Sequence, residues 1–366
     1  MFLRLNKNIK RVCLVGNQHG LLQYIMLSSF EEIDQTFFLW NYVGIPDSVK
    51  EKLGKQGAII PSHNNLMERV IAPLGGKMPK LYLILSFFKH FFYYRIYYPL
   101  KFPFILRSDL DYWGHDHVFN AHCFLRNHPF HLLEDGMFNY GPFIYHQTKQ
   151  KYLFLKRLVA GSNFVGYKRY AGDEKNCIGI YLTGLSDKGE ALNDPKVKIR
   201  SFSDMWNDSD IEKRTFINNI FGVSCRLIDG CRKCHQILLT TPFSESGVLS
   251  EAEKIDMYRK VLKMIGRNDI VIKPHPREVT DYSTCLNVPV LDTKAPMQLL
   301  SLNGVKFDCV YSVYDSSALY DFPYKVKVCV LGSEVYPPLY EKKPEYRSDN
   351  FVNNNKNVEL VKLQQC

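Results

Sequence analysis

The chain has 366 residues, 46% of them hydrophobic and 23% charged, which is ordinary for a globular protein and long enough for two α/β domains with separate cores. Lys and Arg outnumber Asp and Glu by 47 to 37, a formal charge of +10. A basic surface favours anionic partners such as nucleotide sugars, acidic glycans or anionic lipid; with no nucleic-acid motif beside it, nucleic acid is set aside.

Lys10 to Gly16 is an apolar run ending in glycine and predicts a buried parallel strand. Asn17-Gln18-His19-Gly20 follows, then a helical pattern from Leu21 to Phe30. This is a βα unit with its loop at the carboxyl end of the strand, where α/β proteins place ligands. The glycines do not form GxGxxG, so a dinucleotide site is not supported. Gln35 to Val43 predicts the next strand, and Ser48 to Leu53 a short helix with capping-box spacing between Ser48 and Glu51. Leu81 to Phe104 is strongly aromatic but interrupted by Lys89, His90, Arg95, Pro99 and Lys101, which argues against a spanning helix. Two readings stay open for it: a helix packed in the first domain, the favoured one, and an aromatic, basic segment touching a membrane surface.

Short strands are expected at His117–Asn120, His131–Leu133 and Ile178–Thr183, with a helix over Asp208–Phe221. A second series then runs Gln236–Thr240 (strand), Glu251–Ile265 (helix), Asp269–Lys273 (strand), Val288–Leu291 (strand), Pro296–Leu302 (helix), Asp308–Ser312 (strand), a helix opened by Asp315-Ser316-Ser317, and Val326–Leu331 (strand). Alternation of this kind predicts parallel sheets. The expected division is 1–215, 216–345 and a polar tail, 346–366. Of the ten cysteines, those inside apolar runs, such as Cys13 and Cys329, read as reduced core residues. The Cys231-Arg-Lys-Cys234-His235 run reads as a basic loop before a strand rather than a haem attachment. With no long apolar run near Met1, a cytoplasmic chain is expected, in peripheral contact at most with the inner membrane.

Three constellations carry chemistry. In Glu134-Asp135-Gly136, two acids and a turn-forming glycine follow an apolar strand, and a carboxylate there can face a cleft and take a proton. In Lys273-Pro274-His275-Pro276-Arg277, a strand delivers a histidine between two stiffening prolines and two cations, which suits a phosphate. In Asp315-Ser316-Ser317, hydroxyls and a helix start can either hold an anion or simply cap the helix. Thr241, after the first strand of the second series, joins the candidate phosphate contacts. Asp109-Leu-Asp111 has the letters of a metal-binding DxD but lies in a loop, so no metal is expected.

These three motifs, in this order, resemble those of bacterial sialyltransferases. The closer resemblance is to glycosyltransferase family 52, the lipooligosaccharide sialyltransferases. Glu134-Asp135-Gly136-Met-Phe-Asn139-Tyr140 is similar to that family's EDG-x-x-NY run, and the segment Gly114-His115-Asp116-His117 resembles its Gly-x-Asp-His stretch. The resemblance implies an α/β, GT-B-like fold, with two Rossmann-like domains whose parallel sheets face a central cleft. It implies an inverting, metal-independent enzyme without cofactor that moves sialic acid from CMP-sialic acid to a galactose-type acceptor. Asp135 would be the base, with Glu134 beside it as the second acid. His275 would be the general acid or phosphate partner. Lys273, Pro276, Thr241, Ser316 and Ser317 would surround the nucleotide phosphate, and Gly136, Asn139 and Tyr140 would hold the motif. Gln18, His19, His115, Asp116 and His117 are the substrate-side candidates. Expected partners are the nucleotide-sugar donor and a glycan or glycolipid acceptor, with an anionic membrane surface and a homodimer as further options. Competing readings are glucosyl transfer, a polysialyltransferase, a catalytically idle glycan-binding subunit, and a two-domain nucleotide-sugar epimerase.

Overall fold

A computed structural model describes residues 7–40, 44–53, 57–59, 78–117, 121–125, 127–141, 153–160, 169–266, 269–291, 293–351, 353 and 355–365. The chain divides into two compact units: residues 1–45, 53–183 and 188–200 form the first, and 46–52, 184–187 and 201–366 the second. The boundary thus falls at Arg200/Ser201 rather than 215/216, because the helix Phe202–Asn207 packs on the helix Met297–Leu302 of the second unit. The piece 46–52 joins the same unit, where Lys52 Nζ donates to the Asn219 carbonyl at 2.6 Å.

The first unit is built on a seven-stranded sheet: β1 Arg11–Val15, β2 Thr36–Trp40, β3 Gly57–Ile59, β4 Asp111–Gly114, β5 Phe130–Leu132, β6 Cys177–Leu182 and β7 Val197–Ile199. The order is β3-β2-β1-β4-β5-β6-β7, and every pairing is parallel. The second unit holds β8 Gln236–Leu239, β9 Ile270–Lys273, β10 Cys309–Ser312, β11 Val326–Val330 and β12 Val358–Leu360, in the parallel order β12-β11-β10-β8-β9. The expected α/β class, two Rossmann-like units on parallel sheets, is what forms. Strands covered on both faces must be apolar throughout, and Val12 to Val15, Gln236 to Leu239 and Ile270 to Lys273 are buried without a break.

In each sheet the chain runs outward from a central strand in one direction and then returns to the other side. The crevices at these reversals, between β1 and β4 and between β8 and β10, are where open α/β sheets bind ligands. β1 leads at once into the helix Gln18–Leu27, capped by Asn17. β8 is followed by the helix Glu251–Ile265, opened by a capping box between Ser250 and Glu253 and closed by Gly266 in the left-handed conformation.

Several expectations shift. A strand not expected from sequence lies at Asp111–Gly114; of the strand expected at His117–Asn120, His117 sits in a bend and 118–120 are outside the described residues. β2 ends at Trp40, and 41–43 are likewise outside the described residues. Val288–Leu291 contributes a single bridge, Val290 to Ile272. The Asp315-Ser316-Ser317 run opens a three-residue 3-10 turn rather than a helix. Ser48 lies inside the helix Asp47–Leu53 rather than capping it. Residues 346–366 are not a separate tail, since they carry β12, paired with β11. Cys13, Cys177, Cys231 and Cys329 are buried free thiols. Among the described residues, no helix is long and apolar enough to cross a membrane.

Candidate active site

In the first unit, the loops after β1, β4 and β5 meet around two adjacent acids with different surroundings. Glu134 is fully buried. Its Oε1 accepts from His19 Nε2 and Thr183 Oγ1, both at 2.7 Å, and its Oε2 accepts from Tyr140 OH at 2.7 Å and the Thr183 N–H at 2.6 Å. Its own N–H donates to Gln23 Oε1 at 2.8 Å. With both oxygens committed, Glu134 has no lone pair left for a substrate and serves as a hub.

Asp135 keeps 26% of its side chain exposed. Asn17 Nδ2 donates to its Oδ1, and His117 Nε2 donates to its Oδ2 at 2.6 Å. Burial opposes ionisation of this carboxyl, but the His117 hydrogen bond and the field of His115, His117 and His19 outweigh it and hold it down at about 2. The converse holds for His117: burial pulls its pKa down, while Asp116 and Asp135 override that and lift it to about 9. The two therefore form an ion pair at neutral pH, and Phe138 packs against the imidazole with ring centroids 4.0 Å apart and the planes tilted by 32°.

The rest of the motif reads as support. Gly136 takes φ 56°, opening the turn Gly136–Asn139, and Asn139 Oδ1 accepts from the Asp135 N–H at 2.6 Å. His115, fully buried, with its pKa lowered by that burial, donates from Nε2 to the Glu134 carbonyl at 3.2 Å. A Cβ on Gly20 would sit 2.4 Å from that nitrogen, so the helix approaches this closely only because residue 20 is glycine. Asp116 lies 3.7 Å from His117 Nδ1 through Oδ1 and accepts from the Gly172 N–H at 2.8 Å through Oδ2. Gln18 is buried, and both of its amide atoms are without a hydrogen bond among the described residues. Asn17, Gln23 and Thr183, none of them nominated from sequence, complete the network.

The second unit repeats the scheme. Glu278 is buried; its Oε2 accepts from Thr240 Oγ1 and from the His275 N–H at 2.7 Å, and its Oε1 from Tyr282 OH at 2.6 Å. Lys254, fully buried, lies 3.0 Å from Glu245, 3.2 Å from Glu251 and 3.6 Å from Glu278, and so draws two loops onto the start of its helix. His275 is half-buried. Its Nδ1 accepts from the Arg277 N–H at 3.2 Å, which leaves Nε2 as the protonated nitrogen. Burial, then the cations Arg277 and Lys273, push its pKa down to about 3, so it is neutral at physiological pH.

Other nominated residues divide. Pro276 is half-exposed beside His275. Lys273 is 5% exposed and burial lowers its pKa to about 8, so it acts on the loop through its charge rather than by touching a ligand. Thr241 donates its N–H to Tyr258 OH at 2.6 Å. Ser316 Oγ caps its turn by accepting from the Ala318 N–H at 3.3 Å, while the half-buried Ser317 hydroxyl has no hydrogen bond among the described residues. The DxD letters sit at the opposite, amino end of β4: Asp109 pairs with Arg107 and Asp111 with Arg11 and the Trp113 indole N–H. Among the described residues no cluster of three or more His, Cys, Asp or Glu is arranged to hold a metal ion.

The Asp135–His117 pair sets a pH dependence. A depressed carboxyl stabilises the fold above its unfolded value near ~4, and that gain is lost as pH falls toward about 2; a raised histidine stabilises below ~6.5, and that gain is lost as pH rises through about 9. The urea midpoint of the wild type should therefore fall between about pH 6.5 and 9, and His117→Gln should flatten that limb; an unchanged limb contradicts the pairing. Lys254→Met leaves the buried Glu278, and the partly exposed Glu245 and Glu251, without their cation and should cost about 3 kcal/mol by urea unfolding; a neutral substitution contradicts its role as a hub.

Comparison with known proteins follows the same lines. The model of glycosyltransferase family 52 matches residues 81–332. An uncharacterized protein of Haemophilus influenzae is 33% identical over 231 residues, covering 63% of this chain and 71% of that protein. A 2,6-sialyltransferase of a Photobacterium species, solved with CMP and lactose, shares the fold at 12% identity over 96% of this chain and 78% of that one, with a TM-score of 0.52. The α/β-galactoside α-2,3-sialyltransferase of Photobacterium phosphoreum aligns at 13% identity over 97% of this chain and 98% of that one, with a TM-score of 0.44. The family match spans both the Glu134–Tyr140 unit and the His275 and Ser316 loops, more than half of the sequence, and the chain belongs to glycosyltransferase family 52.

Proposed function

We propose that the chain transfers sialic acid from CMP-sialic acid to a galactose-type terminus of a lipooligosaccharide or other surface glycan, with inversion at the anomeric carbon. One observation carries the reading: of the two motif acids, only Asp135 presents an accessible carboxylate, fixed by Asn17 and His117 at the sheet reversal. As the acceptor oxygen bonds to the anomeric carbon, the bond from that carbon to the phosphate oxygen breaks and CMP departs with the electron pair. In an oxocarbenium-like transition state the acceptor oxygen becomes strongly acidic once it has bonded. Even a carboxylate held at about 2 then takes its proton. Glu134 is assigned the positioning of Asp135, not the chemistry.

The His275 loop suits the departing phosphate. A neutral imidazole with its proton on Nε2 donates a hydrogen bond, and the exposed Arg277 offsets charge. This makes His275 a phosphate partner more than a general acid. Ser317 and Thr241 are further hydroxyls for the same group, while Ser316 keeps the turn in shape. The phosphate is met by these groups without a divalent ion. The Photobacterium 2,6-sialyltransferase solved with CMP and lactose supplies the donor and acceptor chemistry proposed here.

The direct assay combines CMP-sialic acid, lactose and EDTA. Sialylated lactose and free CMP are expected; turnover that appears only with magnesium or manganese contradicts the metal-free step, and transfer from a UDP-hexose alone contradicts the donor. Asp135→Asn should lower kcat by about 10²–10⁴-fold with CMP affinity unchanged. His275→Ala should lower the rate and weaken CMP as well. Near-wild-type turnover of Asp135→Asn overturns the assignment of the base.

A further inference from the structure

The segment expected from sequence to be a polar tail forms a layer behind the Ser316-Ser317 turn. Asn353, Asn355 and Asn357 are half-buried and alternate along the chain just before β12. Each reaches the stretch that follows the turn. Asn353 Nδ2 donates to the Leu319 carbonyl at 2.9 Å, Asn355 Nδ2 to the Tyr320 carbonyl at 2.7 Å, and Asn357 Nδ2 to the Phe322 carbonyl at 2.8 Å. In two of the three the amide oxygen is engaged as well: Asn353 Oδ1 accepts from the Asn355 N–H at 2.8 Å, and Asn355 Oδ1 from the Asn357 N–H at 2.9 Å. Asparagine suits this ladder because it carries donor and acceptor on a side chain short enough to reach the N–H two residues on. Aspartate would keep the acceptor and lose the donor. The ladder is itself anchored where β12 joins β11: the Val358 N–H donates to the Asn355 carbonyl and the Val326 N–H to the Asn357 carbonyl, both at 2.9 Å.

The carbonyls it takes are those a short turn leaves over. Ser317–Leu319 is a single 3-10 turn, and the carbonyls at the end of a turn have no partner within it. The buried Gln298 takes the Ser317 carbonyl from another helix, with Nε2 at 3.2 Å, and Tyr320 OH reaches back to Asp315 Oδ2 at 3.0 Å. The carbonyls of Ser317, Leu319, Tyr320 and Phe322 are thus all directed at side-chain amides. A carbonyl oxygen turned toward a phosphate repels it, whereas a hydroxyl or N–H attracts it. With its carbonyls engaged from behind, the turn offers an anion the Ser317 hydroxyl rather than a row of backbone oxygens.

We propose that Asn353, Asn355 and Asn357 are positioning residues for the donor, holding the Ser316-Ser317 turn in the shape that binds the nucleotide phosphate. The inference rests on the reading that this turn meets that phosphate. In the full chain, Asn355→Ala leaves the Tyr320 carbonyl and the Asn357 N–H without their partners. It should raise the Kd for CMP, read by calorimetry, and the KM for CMP-sialic acid by about tenfold. The kcat at saturating donor and the KM for lactose should stay as in the wild type. Asn353→Ala, at the other end of the ladder, should shift donor binding the same way, and it carries the test if Asn355→Ala does not fold. Wild-type CMP affinity and donor KM in the folded variants overturn the proposal. So does a fall in kcat and urea midpoint with the donor KM unchanged, the pattern of a purely structural segment. Ser317→Ala separates the two levels. If it weakens CMP binding while the asparagine variants do not, the ladder's role is refuted and the phosphate reading stands; if it leaves CMP affinity intact, the phosphate reading fails and the ladder's role with it.

Discussion

A carboxylate enclosed at the end of β5 holds the first unit's site together. Glu134 is fully buried and ionisable, and it is tolerable there only because four donors meet its two oxygens. Those donors come from the helix after β1, the turn after β5 and the end of β6, so satisfying one buried charge draws three segments to a common point. Once they are there, Asn17, the residue that caps the first helix, lies against Asp135. The neighbouring acid is thereby oriented outward without any group of its own reaching into the core. Loss of any one donor exposes the whole arrangement to an unmet buried charge.

The second unit solves a similar problem with different chemistry. Glu278 fixes the His275 backbone and Thr240, while the enclosed Lys254 ties Glu278 to Glu245 and Glu251. In both units a buried glutamate shapes the loop, and the residue with chemistry to offer stands beside it, partly open to solvent. The surroundings fix the protonation states: Asp135 is ionised at any physiological pH, His117 is cationic where a free imidazole would be mostly neutral, and His275 is held neutral. In the transfer proposed above, the charged pair would serve the acceptor and the uncharged His275 the phosphate.

The sequence made the central strands plain, since β1, β8, β9 and β10 each carry three or four consecutive apolar residues with one polar residue at an end. It missed β4, because Asp-Tyr-Trp-Gly is four residues long, begins with an acid and ends in glycine; its neighbours β1 and β5 impose the extended form. The edge strands β3, β7 and β12 are three residues each and exist only through the ladder beside them. The motif acids were found, but their division of labour was not legible. Adjacent residues leaving a strand face opposite ways, and which way is inward depends on His19, Tyr140 and Thr183, the last 49 positions away. Lys254 was hidden for the converse reason: a lysine beside the apolar face of an amphipathic helix reads as solvated until three carboxylates are brought to it. Ser316 behaves as the cap that its position after a strand also allowed.

The account rests on the nucleotide being held by the loops after β8, β9 and β10 while Asp135 remains free for the acceptor. A crystal structure of the protein with CMP tests this most directly. The account predicts the CMP phosphate within hydrogen-bond distance of His275 Nε2 and beside the Ser317 hydroxyl, with the Asp135 carboxylate still bound to Asn17 and His117. CMP bound instead in the first unit against Asp135 and His117, with the His275 loop empty, would contradict it.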